Sequence, residues 1–235
     1  MSKSIGLPFS ASLIPKVLDG SKQQTRRIPG IHNCRLLLGD KDRTGRMKGL
    51  DWSQVRIGAN LDGSAYSIVF HPKDNLWYEL APRHEPGDIA WMREKHCFVE
   101  HDDGRDFVKY LADGVEYPIP NAEEYCDYTV GRYDTTRASI HMPRWASRWE
   151  RPLKSVRIEL IQDISEDDAR AEGTPEELWY EHGSPYLASG ALNPLHDPGD
   201  KLPTIGFRKL WDSINASRGW AWELNRPVVV FEWEA

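Results

Sequence analysis

The alternation of apolar and polar positions divides the 235-residue chain into many short strands and a few helices. The first apolar cluster, Leu13, Ile14, Val17 and Leu18, has helical spacing. Ser10 stands where an N-cap belongs, Pro15 falls in the first turn, and Gly20 occupies the place of a left-handed stop. Residues 54–60, 66–71 and 76–80 alternate with a period of two, and Asp62-Gly63 and Lys73-Asp74-Asn75 supply turns between them, which predicts hairpins over 31–84. Pro86-Gly87-Asp88 leads into a further strand, IAWMRE. Strands are also predicted at 106–112 and near Ile140. The longest strand pattern, 151–164, puts Val156, Ile158, Leu160 and Ile164 on one face and Arg157 and Glu159 on the other.

Ser165 followed three residues later by Asp168 predicts a helix start, and Gly173 its end. Thr174-Pro175 predicts a second short helix. Residues 183–203 hold many Pro, Gly and Asn and predict a long loop. A third helix is expected over Thr204–Asn215 on Phe207, Leu210, Trp211 and Ile214, and the chain closes on the strand PVVVFEWE. Many strands with few helices give the fold class α+β, one domain over 1–235 with a small mixed or antiparallel β-barrel as its core.

Composition adds an excess of aromatics: 10 Trp, 9 Tyr and 6 Phe. Trp91, Trp211 and Trp233 fall on apolar faces and predict core. Trp145 and Trp149, spaced i and i+4 among Arg144, Arg148 and Arg151, fit either a base-stacking surface or a helix packed on the barrel. A net charge of −6 argues against a histone-like coat protein. That total hides a segregation. Residues 16–48 carry nine cations against three acids and residues 137–157 six against one, so these segments hold +6 and +5 and the remainder −17. Such a split predicts a basic groove for phosphate or nucleic acid, or else two exposed basic loops.

Several chemistries are not indicated. Three cysteines with no CxxC pair predict neither a disulfide framework nor a zinc site. No HxxxH, GxxxxGKS, GxGxxG or GxSxG pattern occurs, so no metal and no cofactor is expected. The N-terminus lacks the apolar run of a signal peptide and no stretch nears 18 apolar residues, so a cytoplasmic protein with no membrane partner is expected. The segment from Gly20 to Arg27 is more informative, with a lysine, a hydroxyl and two guanidiniums within six residues. A lysine buried among arginines has a lowered pKa and can act as a base toward the Thr25 hydroxyl; a solvated basic loop has the same composition.

Gly20-x-Lys22-x-x-Thr25-x-Arg27 resembles the GxKxxTxR signature of the ASCH domain family, whose fold is a PUA-like β-barrel. Other landmarks follow in that family's order. Residues 86–94 resemble its PGD strand, 165–173 its acidic-ended helix, 207–215 with the last strand its closing elements, and 139–148 a segment of larger phage and prophage members. The resemblance covers about 8–30, 82–98 and 137–235, and it leaves 31–84, 99–136 and 183–203 as insertions into the barrel.

The resemblance implies RNA or a modified nucleoside as partner. Small ASCH proteins include amidohydrolases that remove the acetyl group of N4-acetylcytidine, and others act as ribonucleases. Carried over residue by residue, the proposed catalytic lysine, threonine and glutamate map to Lys22 as general base, Thr25 as nucleophile or water-positioner, and Glu172. Arg26, Arg27, Glu94, Arg144, Trp145 and Arg148 form the expected substrate- or RNA-binding set, with Arg27 as anion anchor. Glu94 is a second candidate acid, or else a barrel-end glutamate paired with Arg93 or an N-terminal arginine. The chain is more than twice the length of the minimal domain, and Arg26 stands where small enzymes often have an apolar residue. Three alternatives follow: a non-catalytic RNA-binding module, a ribonuclease, or a phage-encoded protein that engages a host factor through the insertions in the cytoplasm of a bacterial host.

Overall fold

The computed structural model describes residues 2–30, 32–38, 41–42, 50–59, 65–119, 133–179 and 202–234. In chain order the first strands are β1 (Ser4–Pro8), β2 (Gln24–Arg27), β3 (Cys34–Leu38), β4 (Lys41–Asp42), β5 (Asp51–Ala59), β6 (Ala65–His71) and β7 (Leu76–Pro82). They are followed by β8 (Ile89–Arg93), β9 (His96–Glu100), β10 (Asp106–Tyr110), β11 (Glu116–Pro118), β12 (Glu150–Leu160) and β13 (Pro227–Trp233). The helices are α1 (Ile14–Leu18), α2 (Glu166–Ala171) and α3 (Pro203–Asn215). The architecture is mixed α+β and rich in sheet. No described helix is long and apolar enough to cross a membrane.

The strands form three sheets, in the orders β1-β8-β12-β13-β2, β4-β3-β7-β6-β5 and β11-β10-β9. The first has one parallel pair, β1 with β8, and is otherwise antiparallel. Its long strand β12 serves two neighbours. Glu150–Pro152 pair with β8, and Leu153 to Leu160 pair with β13, with a register shift between Leu153 and Ser155. Among the described residues no ladder joins β1 to β2, so the sheet does not close into a barrel. Its two edges nevertheless approach. Arg27 of β2 donates through Nη2 to the Pro8 carbonyl at the end of β1 at 2.7 Å, and residues of both edges line one cavity.

β13 is apolar without alternation because both its faces are covered. Val228 and Val230 meet Phe207 and Trp211 of α3 together with Ile161. Val229, Phe231 and Trp233 meet Ile158, Trp149 and, from the second sheet, Leu36, Val69, Tyr78 and Leu80. Each of Val228 to Phe231 is fully buried, worth about 1.5–3 kcal/mol per side chain. The hairpins of 31–84 therefore build a sheet that shares the main core, and the segment 99–136 contributes β10 and β11 beside β9. The third expected insertion, 183–203, lies outside the described residues except Leu202 and Pro203.

Several local expectations need correction. Ser10 does not cap α1: its hydroxyl hydrogen-bonds Ser12 at 3.1 Å, a turn intervenes, and the helix begins at Ile14 after Leu13. Ile140 belongs to a single 3-10 turn, Ser139–His141, and is 62% exposed. The strand expected to reach Ile164 ends at Leu160, because a 3-10 turn at Ile161–Asp163 redirects the chain into α2. Thr174 caps nothing. Its hydroxyl donates back to the Ala169 carbonyl at 2.8 Å, and one 3-10 turn, Glu176–Leu178, follows. Trp145 and Trp149 do not share a helix. Trp145 lies in a 3-10 turn and stacks on Phe98, while Trp149 is buried against Trp233.

Candidate functional site

Strand alternation in β2 sets up the site. Gln24 and Arg26 point to the α2 side, and Thr25 and Arg27 point to the seam between β2 and β1. Lys22 precedes the strand, where two helix ends meet it: its backbone N–H donates to Lys16 O near the end of α1, and Gln23 N–H donates to Ala171 O at the end of α2, both at 2.8 Å. The start of α2 is fixed by Ser165, whose Oγ accepts from Asp168 N at 3.1 Å. Its end is fixed by Gly173 at φ +73°, where a Cβ would stand 3.0 Å from the Lys22 Cβ. A side chain at 173 would therefore push the Glu172 backbone off Lys22.

Lys22 is 1% exposed and uses all three ammonium donors, to Gln24 O (2.7 Å), Glu172 O (2.6 Å) and Glu172 Oε2 (2.8 Å). Burial holds its pKa below the ordinary 10.5, with Arg27 and Arg26 pushing the same way and Glu172 opposing. The other Glu172 oxygen, Oε1, accepts from Arg26 Nη1 at 3.1 Å. Arg26 also reaches Glu159 at 2.6 Å and Asp168 at 2.9 Å, and Arg157 contacts the same two acids. Burial works against the charge of Arg26, but Glu172, Glu159 and Asp168 outweigh it and raise its pKa. Glu172 thus ties Lys22 to the ionic network of Arg26 under α2.

Lys22, Thr25, Arg26, Arg27 and Glu172 line one cavity of about 640 Å³ at the seam, a size typical of small-ligand sites. Phe9 and Leu13 supply apolar wall on one side, and Leu210 and Trp211 of α3 on the other. The cavity is strongly cationic. Lys22, Arg26, Arg27, Arg93 and Arg218 line it, with Glu172 as the one carboxylate among the lining residues. The arrangement can hold an anionic or polarised planar ligand and move a proton at the Lys22 amine.

The remaining expected residues lie elsewhere. Glu94 is fully buried and takes a bidentate pair from Arg148 (2.7 and 2.9 Å); Arg148 also bonds Asp113 at 2.7 Å. Burial raises the Glu94 pKa against the pull of Arg148. Arg144 forms an exposed pair with Glu150. None of Glu94, Arg144, Trp145 and Arg148 lines the cavity. Arg26, Arg144, Arg148, Lys154 and Arg157 are each paired with carboxylates, mostly from distant parts of the chain. Arg93 and Arg218 are cavity cations that sequence reasoning did not place there.

Among the described residues no group of three or more side chains could hold a metal ion, and Cys34 and Cys97 are free and buried. Compared with known protein families, with curated proteins and with solved structures, the chain matches none, so its likeness to the ASCH family rests on the motifs quoted above.

Proposed function

We propose that the seam cavity is the active site of an ASCH-like, PUA-related domain that hydrolyses an amide on a modified nucleoside of the N4-acetylcytidine type. The observation that carries this reading is the buried contact of Lys22 Nζ with Glu172 Oε2, at 2.8 Å, in the wall of the cavity that Thr25 also lines. The apolar walls suit a nucleobase, and the lowered pKa of Lys22 suits a base.

A saturated ammonium has no lone pair, so the reactive form must differ from the resting one. Transfer of one proton from Lys22 to Glu172 gives a neutral amine and a carboxylic acid, and costs no net charge in the cavity. Lys22 then takes a proton as the oxygen of water, positioned by the Thr25 hydroxyl, adds to the acetyl carbon. Collapse of the tetrahedral species breaks the carbon–nitrogen bond, and the Lys22 ammonium returns a proton to the departing exocyclic amine. Acetic acid and cytidine leave, the acid loses its proton to solvent, and Glu172 returns its proton to Lys22, so that one water has supplied the balancing atoms.

One observation favours a second reading, a binding module without chemistry: three strong acceptors also describe a lysine that only braces β2 against α2. Incubation with N4-acetylcytidine and with labelled tRNA separates the two. Deacetylation by the native protein and none by Lys22→Ala supports the enzyme. Binding of tRNA that survives Lys22→Ala, with no product from either substrate, replaces the enzyme by the binding module.

A further inference from the structure

Arg26, which is buried, and Arg27, Arg93 and Arg148, which are half-buried, fall into two groups. Arg26 and Arg148 end on carboxylates at 2.6–3.1 Å. Arg27 and Arg93 do not. The Nε of each is shut off from solvent with no hydrogen-bond partner, and among the described residues these are the only arginine nitrogens in that state. Neither side chain has a carboxylate partner there. A buried guanidinium donor left unpaired costs more than a satisfied one, yet both occur in the wall of the same cavity.

Their surroundings explain how they are held without an acid. Arg27 lies over the Phe9 ring, 5.1 Å from its centroid, and is anchored by the single bond from Nη2 to Pro8 O. Arg93 lies over the Trp91 ring at 4.8 Å, on the same face of β8. Across the parallel ladder, Gly6 faces Trp91. A Cβ at Gly6 would come within 2.6 Å of the indole and 2.7 Å of Arg93 Nε, so the bare backbone is what lets the stacked pair lie across β1. Both guanidiniums therefore lie against aromatic faces, with no carboxylate among the described residues to neutralise them. The two strands that carry them flank β1 from different sides, one through its ladder and one across the seam.

We propose that Arg27 and Arg93 clamp a phosphate group, so that the cavity takes a nucleotide, meaning a phosphate-bearing modified pyrimidine nucleoside, in preference to the free nucleoside. Planar forks suit phosphate oxygens, and an arriving phosphate anion supplies the negative charge that Glu172 alone does not. The phosphate has two chemical sources, the monoester of a mononucleotide or a diester within RNA. Arg93 is then a binding residue for the same site. The proposal rests on the cavity being the ligand site proposed above, but not on its chemistry.

The test is calorimetric titration of the native protein with N4-acetylcytidine, its 5′-monophosphate, a short oligoribonucleotide containing it, and inorganic phosphate. The monophosphate or the oligonucleotide should bind on the order of 10- to 100-fold tighter than the nucleoside. Which of the two is tighter identifies the source. Arg93→Gln should remove most of that advantage, while Arg93→Lys should keep part of it. Should Arg93→Gln fail to fold, inorganic phosphate provides a reading on the native protein alone: it should raise the melting temperature and compete with the nucleotide. Equal affinity for nucleoside and nucleotides overturns the clamp and leaves the hydrolase intact. Turnover of neither, with the nucleotide still bound tightly, overturns the hydrolase and leaves the clamp. No binding of any of the four overturns both.

Discussion

Lys22→Met keeps the aliphatic stem of Lys22 and removes only its charge and its three donors. Three acceptors then change: the carbonyls of Gln24 and Glu172, and Glu172 Oε2. A buried acceptor left unpaired costs about 1–3 kcal/mol, and breaking a buried ion pair from one side typically costs about 3–5 kcal/mol. Glu172 keeps Arg26 Nη1 at 3.1 Å, which limits the loss. The expected cost is about 3 kcal/mol, or a fall in melting temperature of roughly 6–12 °C for a chain of this size. Glu172→Gln leaves Lys22, Arg26 and Arg27 facing one another without the carboxylate and should cost about as much. The double variant should cost less than the sum of the two, with a coupling of about 2 kcal/mol. Urea unfolding at pH 7 measures all three, provided the slopes agree. Single losses below about 1 kcal/mol, or strict additivity within about 0.5 kcal/mol, would refute the view that this pair holds β2 to α2.

Other perturbations test the frame around the site. Gly173→Ala forces a Cβ to 3.0 Å from Lys22 at a φ of +73° and should cost about 1–3 kcal/mol in thermal or urea unfolding. Ser165→Ala removes the hydroxyl that accepts from Asp168 N and should cost about 0.5–2 kcal/mol. It should also weaken ligand binding, because α2 carries Glu172 at its end. Asp88 accepts from the Lys3 backbone N–H at 2.7 Å and ties β1 to the turn before β8. Burial raises its pKa, but the N–H groups of Lys3 and Glu85, with His84, outweigh this and lower it below 3.8. A carboxylate with a depressed folded pKa stabilises the protein above its unfolded value and loses that contribution as pH falls through the folded one. Asp88→Asn should therefore lower stability at pH 7, and the gap should shrink on titration below pH 3.8.

Much of the frame was legible because its signals are local. Ser165, Gly20 and Gly173 mark their termini by chain chemistry alone, and Gly20 and Gly173 do take the positive φ expected of them. The long β13 is written as an unbroken apolar run because two layers cover it. Lys22 and Glu172 are 150 residues apart, and the motif resemblance, not periodicity, linked them. What stayed hidden is the partner of each charge. Arg93 and Glu94 are adjacent in sequence, but alternation around the end of β8 sends them to opposite sides. Glu94 meets Arg148 from 54 residues away, and Arg93 stacks on Trp91 toward the cavity. Of the segregated cations, Arg26 pairs with Asp168 and Lys154 with Glu232, each from a remote segment that no local pattern announces. A clue to Arg93 was present in the i, i+2 spacing of Trp91 and Arg93, which became readable only with Gly6 set opposite by the parallel ladder.

Thr25→Val exchanges a hydroxyl for a methyl of nearly the same shape in the wall of the cavity, and so isolates what that hydroxyl does to the reaction. Acetate release from N4-acetylcytidine, and from its 5′-monophosphate, is to be followed for the native protein and for this variant, with unfolding curves recorded alongside. The expected result is measurable turnover by the native protein, and a fall in rate of roughly 10²-fold or more in the variant at near-native stability. Turnover unchanged by Thr25→Val, or none by a folded native protein on either substrate, would contradict it.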